Sequence, residues 1–160
     1  MGLIVLGYQG IGKSSASNAE YGIIDFESSL FKDNTNCKND DWYIIYTKQA
    51  IALSEQGYIP LLSSHKEVRT ALYDYAKQEF NRVVTIAPFP SLYNKWIDRL
   101  ERRYNEDPTS KNYIAYINAK DHMQEDVVDM ASEPYFSHIY LNDTKYYDFI
   151  AIINGLKLMM

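Results

Sequence analysis

The chain has 160 residues, 46% of them hydrophobic, and a formal net charge of −5 at pH 7. That length supports one domain with a full core and is too short for two ordinary ones, while the charge disfavours nonspecific nucleic-acid binding but allows a local basic pocket. A single cysteine, Cys37, excludes an intrachain disulfide and a cysteine-based metal cluster; with an opening apolar run too short for a signal or a membrane span, the expected protein is cytoplasmic, has no membrane partner, and is allowed to form a homodimer.

Residues 2–6 read as a buried parallel strand. Next comes Gly7-Tyr8-Gln9-Gly10-Ile11-Gly12-Lys13-Ser14, which fits the phosphate-binding pattern G-x-x-x-x-G-K-[ST] at every fixed position. A loop wraps a triphosphate with inward backbone N–H groups only where the chain visits conformations that a Cβ forbids, which is what the glycines allow. Gly7, Gly10, Ile11, Gly12 and Ser15 are expected to cradle the phosphates. Lys13 would reach the β- and γ-phosphates, and the Ser14 hydroxyl would reach Mg²⁺. A helix is expected from Lys13 to about Glu20, ended by Gly22.

Ile23–Phe26 reads as the second strand, with Asp25 at its carboxyl end and Glu27 just beyond, facing the region where Lys13 points. A carboxylate there could hold Mg²⁺ through water or take a proton from an acceptor hydroxyl; a strand-end turn residue is the plainer account. Residues 32–41 form a polar loop. Trp42, Ile45, Tyr46, Gln49 and Leu53 then recur at helical spacing up to Gly57. Tyr58–Leu62 is the third strand, and Pro60 requires either that the ladder start after it or that its missing N–H face nothing.

Ser64-His65-Lys66-Glu67 matches a capping box opening a helix with Val68, Leu72, Tyr75 and Ala76 inward. Val83–Ile86 is the fourth strand. A helix over about 91–104 carries Leu92, Trp96, Leu100 and Tyr104 on one stripe and Lys95, Arg99, Arg102 and Arg103 largely on another. Thr109 or Ser110 caps the next helix, carried inward by Tyr113, Ile117, Met123, Val127 and Met130 and stopped by Pro134. Ser137–Leu141 is the fifth strand, and a last helix starts at Asp143 or Thr144, packs through Tyr146, Ile150 and Ile153, and ends at Gly155. The alternation gives a right-handed parallel α/β sheet. His122 and His138 lack a partner at ligand spacing, and His65 reads as a helix N-terminal residue.

These features in this order resemble the nucleoside-monophosphate kinase group of P-loop proteins, which also includes small-molecule kinases of the shikimate and gluconate kind. The features are a phosphate loop, an Asp after the second strand, an Arg after the third, and an Arg-rich helix pair after the fourth. The resemblance implies a single three-layer domain over 1–160, with a five-stranded sheet in the order 2-3-1-4-5 and helices on both faces. It further implies an acceptor-binding segment around 27–41, a lid around 100–112, and a need for ATP and Mg²⁺. Arg99, Arg102 and Arg103 become lid residues closing over the phosphates, against the alternative of a solvated charged face. Arg69 becomes an acceptor clamp, against a surface ion pair. Asn142 and Thr144, flanking Asp143, become the place where the adenine is held, with helix capping as an equal account.

The sequence departs from the group at Ser63-Ser64, where many P-loop enzymes place a Mg²⁺-binding acid, and metal binding therefore falls to Ser14 and Asp25. The expected reaction is phosphoryl transfer from ATP to a small acceptor, first a nucleoside or deoxynucleoside monophosphate. The alternatives are a same-fold kinase for a hydroxyl (nucleoside, modified base or sugar acid) and a non-catalytic ATP-binding module. Asn118-Ala119-Lys120-Asp121 carries the residues of a guanine-reading motif in the wrong order, which argues against a GTPase.

Overall fold

In the computed structural model, described for residues 1–32 and 41–160, five strands form the centre: β1 (Leu3–Gly7), β2 (Ile23–Asp25), β3 (Ile59–Ser63), β4 (Arg82–Pro88) and β5 (Ser137–Leu141). All pair in parallel, in the order β2-β3-β1-β4-β5. Strands buried on both faces are apolar at every position rather than at alternate ones. In β1, Leu3 and Val5 enter one core while Ile4 and Leu6 enter the other. Each such side chain contributes about 1.5–3 kcal/mol of burial. Pro60 sits opposite Ile24 of β2, and pairing with β1 begins one residue later, at Leu61 opposite Val5. The proline therefore takes no hydrogen bond from the central ladder.

Helices cover both faces. One core joins the sheet to α1 (Lys13–Ala16), α6 (Tyr93–Glu106), α7 (Ser110–Ala131) and α8 (Tyr146–Leu158) through Ala16, Trp96, Leu100, Met123, Val127, Phe149 and Ile153. The other joins it to α3 (Trp42–Glu55), α4 (Lys66–Ala71) and α5 (Tyr73–Ala76) through Tyr46, Ala50, Val68, Leu72 and Tyr75. A one-turn helix, α2 (Ser29–Lys32), follows β2. The readings placed on Cys37 and most of the polar 32–41 loop, and on the Tyr146 side chain, lie outside what is described. No helix among the described residues is long and apolar enough to cross a membrane.

Several elements differ from expectation for local reasons. The helix expected to reach Glu20 ends after one turn, because Ser17 is extended and its hydroxyl accepts the Asp25 N–H (3.2 Å). Asn18 then pairs with Ile23 and caps a 3₁₀ turn at Ala19–Tyr21. Short polar side chains compete with the helix in this way. In α3 the buried face is Tyr46, Thr47, Ala50 and Ser54, and Ile45 and Gln49 are exposed. Tyr46 donates to the Phe26 carbonyl and accepts the Ser63 N–H, and Ser54 bonds the Tyr75 hydroxyl, so hydroxyls with partners take core positions.

The Ser64–Glu67 capping box does not form. His65 is the N-cap of α4, without a side-chain cap, and the expected single helix tightens at Leu72, whose N–H bonds Arg69 three residues back. Tyr113 is exposed, and Asn112 takes the buried place at the start of α7, where Thr109 caps. Finally, α8 begins after Lys145 and runs through Gly155 to Leu158.

Candidate functional site

The Gly7–Ser14 loop leaves β1, whose neighbours β3 and β4 lead off to opposite sides, so it occupies a switch point at the carboxyl ends of the strands, where ligands of open α/β sheets sit. Its shape is fixed from several sides. Tyr8 and Ile11 are buried, and the Ile11 N–H bonds the Tyr8 carbonyl. The Trp96 indole donates to the Gln9 carbonyl at 3.0 Å. Gly10 and Gly12 stand at φ 78° and 103°, the left-handed region that side chains disfavour. A Cβ on Gly10 would also lie 2.6 Å from Leu100 Cδ2. Gly10→Ala is accordingly expected to destabilise the fold by about 2–4 kcal/mol in urea unfolding, from the backbone and the overlap together.

Lys13 reaches back across the loop, its ammonium donating to the Gly7 carbonyl at 3.2 Å. Burial lowers its pKa to about 8, against the raising effect of Asp25 and Glu27; Lys111 and Arg103 lower it further. Ser14 and Ser15 are exposed on the first turn of α1. Asp25 is held by its backbone to Ser17, and its Oδ1 is buried with no hydrogen-bond partner among the described residues. Burial, and then the charge of Glu27, raises the Asp25 carboxyl. Burial also raises Glu27, but two hydrogen bonds from Lys111, both 3.0 Å, and the charges of Lys111 and Lys13 outweigh it and leave Glu27 lowered. Thus Lys13, Asp25 and Glu27 do converge, and α7 adds Lys111, which no sequence signal singled out.

The three arginines separate. Arg99 lies 4.7 Å from the Trp96 ring centre and donates to the Thr144 carbonyl at 2.5 Å, tying α6 to the Asn142–Thr144 turn. In that turn Asp143 accepts the Thr144 N–H, and Lys145, not one of these three, caps α8, so the helix-capping account of Asn142 and Thr144 does not apply. Arg102 and Arg103 are exposed near the α6–α7 corner.

Between the loop, the end of β3 and α7 lies a cleft of about 280 Å³. Lys13, Ser63, Ser64, His65 and Arg69 line one side, and Asn118, Asp126 and Asp129 line the other. Arg69 is 3% exposed, and its terminal nitrogens donate to Asp129 and Glu133, both at 2.8 Å. The Tyr73 hydroxyl also bonds Glu133. The surface-pair alternative for Arg69 therefore gives way to a buried, bridged one. Asp126 and Asp129 stand about one turn apart on α7, and Glu133 follows just past the end of that helix at Ala131.

His65 is more than a helix-start residue: its Nδ1 lies 2.9 Å from Ser63 Oγ and its Nε2 2.7 Å from Lys32 Nζ. Burial and then the Lys32 charge push its pKa down to about 4, so near neutral pH the imidazole accepts from Lys32. His138 is tied to Thr85 and is structural, while His122 is exposed. No protein-family model and no curated protein matches the chain.

Proposed function

We propose that the chain is an ATP- and Mg²⁺-dependent phosphotransferase acting on a small acceptor, with Gly7–Ser14 as the P-loop of a domain akin to the nucleoside-monophosphate kinases. The observation that carries this reading is the loop itself. Two left-handed glycines shape it, a buried isoleucine and an indole hold it at the switch point, and Lys13 folds over it. Phosphoryl transfer depends on positioning and charge neutralisation more than on covalent help from the protein. In this reading Lys13 and the loop amides bind the triphosphate, and Arg103 and Lys111 add positive charge near Lys13. Thr144, whose carbonyl accepts from Arg99, and Asn142 in the same turn would border the base.

Mg²⁺ fits the residues present. Ser14 and Asp25, with its unpartnered buried oxygen, would hold it, and the rest of its ligands would be phosphates and water, as is usual for this ion. Bound there, it would neutralise charge on the phosphoryl oxygens. Among the described residues no three His, Cys, Asp or Glu side chains converge into a protein-only cage.

The test is ATP binding as a function of pH, followed by Trp96 fluorescence and by calorimetry in buffers of different ionisation enthalpy. With the Lys13 pKa about 8, the free protein loses its loop charge as pH rises, and a bound polyanion restores it. Affinity at pH 9 should be about tenfold below that at pH 7, with close to one proton taken up on binding. Flat affinity and no proton uptake across that range would remove Lys13 from the phosphate site.

A further inference from the structure

We propose that the acceptor is an alcohol carrying no negative charge, held between the carboxyl end of β3 and α7, and that phosphate esters are excluded. The proposal rests on the phosphotransferase reading above and turns on how the part of the cleft beyond Lys13 is charged. A phosphate ester needs a cationic fork that is open to it. Among the described residues there, Arg69 is a buried cation, and both ends of its fork are occupied, by Asp129 and Glu133 at 2.8 Å each. Its Nε is buried without a partner among the described residues and offers one N–H rather than two. To grip a phosphate, the guanidinium would have to release a carboxylate. Glu133, 7% exposed, would then lie buried beside an incoming dianion, and Asp129, 49% exposed and so the easier to release, would remain close enough to repel it.

Asp126 adds a third carboxylate to the same region. Of the other cations lining the cleft, Lys13 belongs to the phosphate loop, and Lys66, like Asp126, is exposed, where a charge is weakened by water and salt. Hydroxyl groups ask for something different, namely neutral donors and acceptors. The two sides of the cleft supply these from Ser63, Ser64 and Asn118, with carboxylates able to accept from an O–H or an N⁺–H. The cleft's volume of about 280 Å³ includes the space over the phosphate loop, and what is left leaves room for only a small acceptor.

In the reaction the alcohol oxygen attacks the γ-phosphorus of ATP. The new O–P bond forms as the bond from that phosphorus to the β,γ-bridging oxygen breaks, and ADP leaves with the electron pair. The hydroxyl proton passes to solvent, so each ADP is accompanied by one phosphomonoester and, at pH 8, one proton. A monophosphate acceptor would instead give a diphosphate and no net proton.

The experiment uses the full chain with ATP and Mg²⁺ at pH 8 in weak buffer. Thymidine, glycerol and ethanolamine are the alcohol probes, and AMP and dTMP are the phosphate-ester probes. ADP is followed by chromatography, protons by pH-stat, and products by ³¹P NMR. At least one alcohol is expected to raise ADP release about tenfold or more over the acceptor-free rate, with matching phosphomonoester and proton. AMP and dTMP should stay near background. Diphosphate formed faster than any phosphomonoester would overturn the proposal, as would a chain that binds ATP yet phosphorylates none of the alcohols. Asp129→Asn combined with Glu133→Gln, which uncovers Arg69, should tighten AMP binding about tenfold or more; no gain would also count against it. A wild-type chain that fails to bind ATP brings down the phosphotransferase reading itself, which separates the two failures.

Discussion

Lys13→Met is expected to weaken ATP binding by about 10–100-fold, the worth of a charge-assisted hydrogen bond to a phosphate, while raising the melting temperature of the ligand-free protein. Both effects have one cause. Folding takes an ammonium with an ordinary value of 10.5 into a setting where its pKa is about 8, which corresponds to about 3 kcal/mol against the charged form. Methionine keeps much of the stem and removes the charge. The lost bond to the Gly7 carbonyl costs about 1 kcal/mol, and Asp25 and Glu27 lose a counter-charge, so the gain is partial but positive.

The pH dependence has a definite sign. Between pH 8 and 10.5 the unfolded wild-type chain holds more protons at this site than the folded one, so wild-type stability rises with pH through that window. The advantage of Lys13→Met therefore shrinks there. Thermal melts at pH 7 and pH 9.5, paired with ATP titrations, measure both. A variant with a lower melting temperature and unchanged ATP affinity would show Lys13 to be a structural residue.

Arg69→Met should lower the free energy of unfolding by about 3–5 kcal/mol, the range for removing one partner from a buried ion pair. It would leave Glu133 with the Tyr73 hydroxyl alone and Asp129 without its cation. Adding Glu133→Gln and Asp129→Asn to Arg69→Met should recover most of the loss, because the uncompensated charges, more than the missing contacts, carry the cost. Urea unfolding of the single and triple variants decides the point. Equal instability of the two would mean that the Arg69 side chain matters through its packing.

The strands were legible because a parallel strand buried on both faces leaves an uninterrupted apolar run. Leu3–Leu6 is such a run, Val83–Ile86 departs from it only at Thr85, whose hydroxyl is bonded to His138, and Ser137–Leu141 was placed at its observed bounds. The sheet order came from the family resemblance, and the structure has that order. What escaped were features decided by partners far along the chain or by single hydroxyls. The break at Ser17 depends on the Asp25 N–H, and the rotation of α3 depends on what the Tyr46 hydroxyl meets in β2 and β3. Likewise, Arg69 is defined by carboxylates 60 and 64 residues away, which no local spacing relates to it. At the site, the loop and Asp25 could be read directly, since their chemistry is local. The involvement of Lys111 could not, because it exists only where α7 begins beside Glu27.

Two of the bonds that leave α6 divide its arginines into two kinds. Trp96 is fastened to the Gly7–Ser14 loop, Arg99 is fastened to the turn after β5, and Leu100 rests against Gly10. Up to Leu100 the helix is bolted to the floor of the site at consecutive points, like a beam with one end set in masonry. Arg102 and Arg103 stand on the length beyond it, which meets α7 through the Glu101–Tyr116 hydrogen bond and the Tyr104–Tyr113 ring contact. A swing of the α6–α7 corner would turn about Leu100, so Arg99 would stay with the turn after β5 while the other two travelled.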